Sequence, residues 1–348
     1  MTNVTTRRWV LVGAALAAGC AGGPEPAGGR VIDGAPEAAG DEAAGDEGAV
    51  ASEAAPALPG WGLLDKRDEV HLRGEDFFPE GVTASKNGTL YVGSYSTGAI
   101  DRVLPGSDRA QPFIPAPAGL SAVGLLADDA TGSLWACMND AAGAAPGFIK
   151  RYDLKTGRET GSFALPQGST VVNDMALDAA GNLYATETVQ HVIFRLRPGA
   201  SALEVWAESD AFGGADFTLN GIAFDGASNL YTVKYLTHEL YRVPIGPGGA
   251  AGEPVRIEVV PPIEFPDGIK AIDATTFAVA ENDVGKVSIV KVSGDRAEKT
   301  VLANGLAEPT TLAIVGPNVW VAEGQLSFFF GAPGAPTLPF KLRRFFLP

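Results

Sequence analysis

From about residue 63 onward the chain alternates short apolar-rich runs with clusters of Gly, Pro, Asn and Asp. Short runs bounded by turn formers predict strands rather than helices. The pattern is clearest in Val171–Thr188, VVNDMALDAAGNLYATET, which reads as a strand, a turn at Ala179-Ala180-Gly181-Asn182, and a second strand over Leu183–Thr188. Related stretches recur as PEGVTASKNGTLYVGS from Pro79, LNGIAFDGASNLYTVK from Leu219 and PDGIKAIDATTFAVAE from Pro266. Aligning the large apolar residue of the second strand marks Tyr91, Trp135, Tyr184, Tyr231, Phe277 and Trp320, spaced 44, 49, 47, 46 and 43 residues apart. In the third unit four strands can be read: Met175–Asp178, Leu183–Thr188, His191–Leu196 and Leu203–Ala207. Six such units predict an all-β protein, a six-bladed β-propeller with four-stranded blades around a central channel. A lone blade cannot bury both faces, so the blades bury one another. Leu63–Leu72 precedes the first full copy and is placed to complete the sixth blade from the N-terminal side. A pair of β-sandwiches could use as many strands but would not produce a single six-fold period.

Composition agrees. The 348 residues are 46% hydrophobic, enough for a large core, and 44 Gly with 25 Pro suit many tight turns. The net charge is −15, and basic residues cluster only at Arg7-Arg8 and Lys341–Arg344, which argues against nucleic acid as a partner. Residues 1–20 read as an export signal: Arg7-Arg8, the apolar run Trp9–Ala18, and a lipobox-like Ala17-Ala18-Gly19-Cys20. Residues 21–60 hold little besides Ala, Gly, Pro, Glu and Asp and read as a disordered linker, leaving 61–348 for the propeller. These features predict an exported monomer, periplasmic or at the cell surface, touching a membrane only through a lipid anchor on Cys20. An ordinary secretory signal with a chance Cys is the alternative. Cys137, the other cysteine, then has no disulfide partner and reads as core.

Each full copy carries an oxygen-bearing side chain at one place: Glu80, Asn173, Asn220 and Asp267. The second unit has Val123 or Gly124 there, and the sixth Pro309 or Thr310. The first strand of each blade lines the channel, so these positions should converge. One Asn-Gly or Asp-Gly is an ordinary turn, but four polar residues in register are not. Two carboxylates and two amides form a hard oxygen set that suits one divalent metal. Ca²⁺ fits best, with Mg²⁺ and Mn²⁺ as alternatives and Zn²⁺ less favoured because no Cys or His belongs to the set. His191 and His238 each follow a metal Asn by 18 residues, at the start of the third strand of adjacent blades. They are candidates for a general base and its orienting partner at the channel mouth. Asp267 could instead act as base while remaining a ligand, and Glu187 could reach in from the second strand. Phe212 and Phe217 are candidate lid residues. Asp128-Asp129, Asp153 and Asp178 fall where turns need caps.

The motifs Pro79-Glu80-Gly81, Asn173-Asp174, Asn220-Gly221 and Pro266-Asp267-Gly268 resemble those of the six-bladed gluconolactonase, regucalcin (senescence marker protein) and LRE-like propellers, with paraoxonases more distant. The resemblance runs from about Leu63 to Pro348 and includes Trp320–Gln325. It implies one axial metal held by Glu80, Asn173, Asn220 and Asp267, and a metal-dependent hydrolase of lactones or related esters in which the metal polarises the carbonyl and activates water. Three departures qualify it. Val171 stands where sugar lactonases place a substrate-gripping Arg, and His191 where some have an acidic contact, which argues against a sugar acid. Gly81 replaces the acidic residue of a second paraoxonase calcium. The alternative function is a non-catalytic, calcium-stabilised propeller lipoprotein that binds a ligand or a protein partner.

Overall fold

A computed structural model describes residues 68–348 except 144, 167 and 216; the export segment, Cys20 and the linker over 21–60 lie outside the described residues. Among the described residues, apart from one four-residue helix and short 3-10 turns, the regular elements are strands. The first sheet contains β2 (Pro79–Ala84), β3 (Leu90–Ser94), β4 (Ile100–Val103) and β5 (Gln111–Ile114), and follows a short β1 (Glu69–His71). The second holds β6 (Leu120–Asp128), β7 (Ser133–Asp140), β8 (Phe148–Asp153) and β9 (Glu159–Ala164). The third holds β10 (Val172–Leu177), β11 (Leu183–Glu187), β12 (Val192–Leu196) and β13 (Glu204–Glu208). Each of these is an antiparallel meander in chain order.

The fourth and fifth units depart from the expected set of six separate four-stranded sheets. β14 (Leu219–Phe224), β15 (Asn229–Lys234), β16 (Glu239–Pro244) and β17 (Val255–Val260) form one meander; β18 (Pro266–Ala271), β19 (Thr276–Glu281), β20 (Lys286–Ser293) and β21 (Arg296–Ala303) form the next. Their outermost strands pair in parallel, Glu258–Val260 against Arg296–Glu298, fusing the two into one eight-stranded sheet. An outer strand carries a row of unpaired N–H and C=O groups, and a neighbouring edge within reach satisfies them. The last sheet contains β22 (Pro309–Val315), β23 (Asn318–Glu323) and β24 (Lys341–Phe346), with β1 beside β24 as Glu69 opposite Arg343. The N-terminal strand therefore closes the last sheet, as the position of Leu63–Leu72 predicts.

The inner strands β2, β6, β10, β14, β18 and β22 pack each against the next, and β22 returns to β2, closing a ring. The hydrophobic clusters lie between neighbouring sheets. One joins Tyr91 and Ile100 to Leu125, Leu134 and Met138; another joins Trp320, Phe340 and Leu342 to Val70, Val82 and Val92 across the closure. Cys137 is a fully buried member of such a cluster. Turn chemistry follows the sequence: Asp128, Asp153 and Asp178 each accept backbone N–H groups two to four residues on, while Asp129 accepts the Lys86 N–H of the first sheet at 2.8 Å.

Strand register fixes which positions are equivalent. Every inner strand has a bulge at one place, between Pro79 and Val82 in β2, Val172 and Met175 in β10, and likewise in the other four. The bulge residues are Glu80, Val123, Asn173, Asn220, Asp267 and Thr310, so Val123 and Thr310 occupy the places that the sequence leaves open. The following residue is glycine in four strands because the backbones crowd there. A Cβ on Gly124 would sit 2.4 Å from the Asn173 carbonyl oxygen and 2.7 Å from the Asp174 Cα. Register also corrects one alignment: Phe277 lies opposite Ala271, and Ala278, opposite Lys270, is the equivalent of Tyr184 opposite Ala176. Phe277 turns to the other face and packs on Tyr231 at 4.4 Å.

Candidate functional site

Glu80, Asn173, Asn220 and Asp267 line a single cavity of about 50 Å³. They come from four different inner strands, and each sits at its strand's bulge, a device that re-aims a side chain out of the regular alternation. All four are buried, between 4% and 7% exposed. The two bulge positions without a carboxylate or amide have other roles. Val123 is an apolar wall, and the Thr310 hydroxyl donates to the Glu80 backbone carbonyl at 2.8 Å, tying the last inner strand to the first.

The electrostatics of this ring are uncompensated. Burial pushes the Glu80 carboxyl well above its usual range, and the charges of Asp267 and Asp174 add to the shift. Burial likewise raises Asp267, reinforced by Asp174 and opposed by hydrogen bonds from Asn282 and Asn220. Asp174 itself pairs with Lys270, Nζ to Oδ2 at 2.7 Å, across the channel between residues 96 apart in sequence. Three buried carboxylates thus share one ammonium, leaving a formal charge of −2. Among the described residues no protein group hydrogen-bonds the side chains of Glu80 or Asn173. Among the described residues, too, no three His, Cys, Asp or Glu side chains cluster for metal binding, so a cation at the ring would need the two amide oxygens as well as the carboxylates. Buried oxygens with no internal partner and a surplus charge of −2 fit a hard divalent cation.

A second tier of residues escaped the sequence reading. Each follows the second-strand residue that pairs with the inner-strand residue just before the bulge: Tyr95, Asn139, Tyr235 and Asn282 line the same cavity. Asn139 donates to the Val172 carbonyl at 2.9 Å and accepts its N–H at 3.1 Å, fixing the residue before Asn173. Asn282 Nδ2 donates to Asp267 Oδ2 at 2.9 Å, and the Tyr235 hydroxyl donates to Asp283 at 2.6 Å. The available signal was a polar or aromatic residue at or just past the end of the second strand in the first, second, fourth and fifth copies. Glu187 is fully buried and accepts the Thr170 and Val171 N–H groups at 3.0 and 3.1 Å, so it shapes the loop into Asn173 rather than entering the cavity.

The histidines lie elsewhere. His191 and His238 are equivalent, each just before a third strand with left-handed backbone, φ 62° and 57°. Neither lines the ring cavity, and they do not meet each other at a channel mouth. His191 borders a surface depression with Glu208 and Asp210 and lies 3.1 Å from the Ala215 carbonyl through Nε2. His238 borders another with Glu239 and Arg256, and its ring packs on Phe265 at 4.2 Å. The hairpin turn that hosts each His uses the left-handed residue to reverse the chain. Phe217 does cover the cavity, whereas Phe212 is fully buried beneath the surface against Tyr241. The rest of the roof comes from Leu326 of the helix α1 (Leu326–Phe329) and Phe330 just after it.

No family model and no curated protein sequence matches the chain. Solved structures do. A gluconolactonase from Xanthomonas campestris superposes with a TM-score of 0.58 at 17% identity, over 81% of this chain and 88% of that one. The Malassezia sympodialis allergen Mala s 1 gives 0.63 at 14% identity, over 80% and 96%. Virginiamycin B lyase from Staphylococcus aureus gives 0.56 at 16% identity, over 80% and 98%. At such identities the likeness is one of fold, and that fold serves a lactonase, a lyase and an allergen alike. The chain thus shares the propeller-like all-β fold of the gluconolactonase structure.

Proposed function

We propose that the protein is a six-bladed propeller, its fourth and fifth blades joined at the rim, and a metal-dependent hydrolase of lactones or related esters. The observation that carries this reading is the convergence of Glu80, Asn173, Asn220 and Asp267, buried and with a surplus charge of −2, in one axial cavity. These four would hold one divalent cation, Ca²⁺ by the hardness and number of the oxygens. When bound, such an ion polarises an ester carbonyl and lowers the pKa of water. Asp267 is the candidate base: its carboxylate lines the same cavity, where a water beside the ion would lie. Asn282 and Asn220 hold that carboxylate in place. Val171, Phe217, Leu326 and Phe330 exclude bulk water. His191 and His238 border separate depressions, so the base is assigned here to Asp267 and not to them. Export, the Cys20 anchor and a monomeric state belong to the same proposal.

The small closed cavity favours a second reading, in which the ion only braces the ring and the propeller binds a ligand or partner. One experiment separates the two. The protein is stripped of metal, reloaded with Ca²⁺, Mn²⁺ or Zn²⁺, and assayed on a panel of lactones and phenyl acetate beside Asn173→Ala and Asp267→Ala. Turnover that returns with metal and is lost in both variants supports the hydrolase. Metal-raised thermal stability without turnover of any panel member supports the bracing ion.

A further inference from the structure

The walls of the axial cavity bear on the substrate, given the hydrolase reading above. Val171, Phe217, Leu326 and Phe330 are apolar, and the rings around them interlock: Tyr95 meets Phe329 and Phe330 edge-on at 5.2 and 5.5 Å, and Phe217 meets Tyr235 at 5.8 Å. The polar groups of the upper wall are engaged within the protein. Asn139 uses both ends of its amide on Val172, Asn282 donates to Asp267 and to the Pro309 carbonyl, and the Tyr235 hydroxyl donates to Asp283. Tyr95 differs. Its side chain lines the cavity close enough to Glu80 to feel that charge, and among the described residues its hydroxyl has no hydrogen-bond partner.

We propose that the site takes an apolar lactone or ester, aliphatic or aromatic, and that Tyr95 is a further catalytic residue whose hydroxyl donates to the substrate's carbonyl oxygen. A polyhydroxylated lactone would lose water from several hydroxyls and find no free partner in this wall, at a cost on the order of tenfold in binding for each. A substrate whose single polar function is the ester meets the one free phenol instead. In the reaction the water oxygen bonds to the acyl carbon and the acyl–alkoxy bond breaks. One water proton ends on the departing alcohol, and the other is released from the acid product. Tyr95 keeps its proton throughout, since a phenol ionises only at about pH 10, so it serves as a neutral donor where negative charge develops. A ring larger than a few waters also needs Leu326 and Phe330 to move aside. The segment they sit on is tied down by Glu308, which accepts the Ser327 N–H at 2.8 Å and the Ser327 hydroxyl.

The test uses the full chain loaded with Ca²⁺, with δ-decalactone and D-glucono-1,5-lactone as substrates, for the wild type and Tyr95→Phe. The expected kcat/KM is at least about 10²-fold higher for δ-decalactone. Tyr95→Phe should lower kcat on δ-decalactone by about 10²-fold, the cost of one oxyanion donor, with KM, Ca²⁺ affinity and melting temperature unchanged because the ring remains. Equal or faster turnover of the gluconolactone overturns the substrate class and leaves the hydrolase standing. A Tyr95→Phe enzyme with wild-type kcat, or one whose Ca²⁺ affinity falls with kcat, overturns the role of the hydroxyl. A wild type that binds Ca²⁺ yet turns over neither lactone overturns this inference together with the hydrolase reading.

Discussion

Replacing Glu80 by Gln should make the metal-free protein more stable. The substitution keeps shape and removes a charge. It breaks no hydrogen bond within the described residues, and it relieves both the burial of the carboxylate and its repulsion by Asp267 and Asp174. Removing an uncompensated buried charge is worth on the order of 1–4 kcal/mol. For a chain of this size each kcal/mol moves the melting temperature by about 2–4 °C, so the variant should melt roughly 2–16 °C higher in chelator.

With Ca²⁺ the order should narrow or reverse. At a free concentration one hundred times its dissociation constant, an ion bound only by the folded state stabilises by about 2.7 kcal/mol. If loss of a carboxylate ligand weakens binding on the order of 10²-fold, the same concentration stabilises the variant by only about 0.4 kcal/mol. Thermal and urea unfolding of both proteins, with chelator and with Ca²⁺ at fixed pH and ionic strength, give the two increments directly. A Glu80→Gln protein less stable than wild type in chelator would refute the charge argument. An unchanged Ca²⁺ increment would remove Glu80 from the ion site.

The pH dependence should carry the same sign. Glu80 and Asp267 have folded pKa values raised above the unfolded values of 4.5 and 3.8, so the folded state holds more protons between the two and metal-free stability falls as pH rises through that window. In chelator the melting temperature of wild type relative to Glu80→Gln should therefore decline above about pH 4, whereas Ca²⁺ protection should grow over the same range; a difference between the two proteins that does not change with pH contradicts the burial of this acid. Arg73→Ala strips the fully buried Asp101 of its two bonds at 2.7 and 2.8 Å and should cost about 2–4 kcal/mol by urea unfolding, less than for a wholly buried pair because Arg73 is half exposed. Deleting residues 1–72 removes β1 with the buried Val70 and Leu72, and should cost about 3–6 kcal/mol and raise protease sensitivity at β24. Survival of that deletion at full stability would show that the ring does not depend on the N-terminal strand.

Much of this architecture is legible along the chain because it is local. The hairpins, the roughly 46-residue period and the polar residue on four of the inner strands repeat at matching places in successive copies. Glu80, Asn173, Asn220 and Asp267 could be found that way because each copy offers the same neighbours. What the pattern hides is chosen between copies. Phe277 and Ala278 are both apolar, and only the pairing of β18 with β19 decides which takes the equivalent place. The rim pairing of β17 with β21 depends on two outer edges that no repeat signal marks. The spacing that relates His191 to His238 is sound, but it does not say which depression each ring borders, and here they border two different ones.

Lys270 shows most plainly why such information is not local. In sequence it is a lysine on a strand whose equivalents are Thr83, Leu126, Ala176, Ala223 and Ala313. In the fold it crosses to Asp174 and becomes, among the described residues, the one cation near three buried carboxylates. A second such lysine would neutralise the ring further and weaken any case for a bound ion; none at all would leave three buried charges for that ion to balance. The fold can sustain the deficit because its stability is gathered away from the axis, in clusters between neighbouring sheets that each bury eight or more apolar side chains. A local penalty of a few kcal/mol at the centre then need not open the ring, and it remains available to favour binding of a cation. In this arrangement the surplus charge is a property of the site, and the cores between the sheets are what allow it to persist.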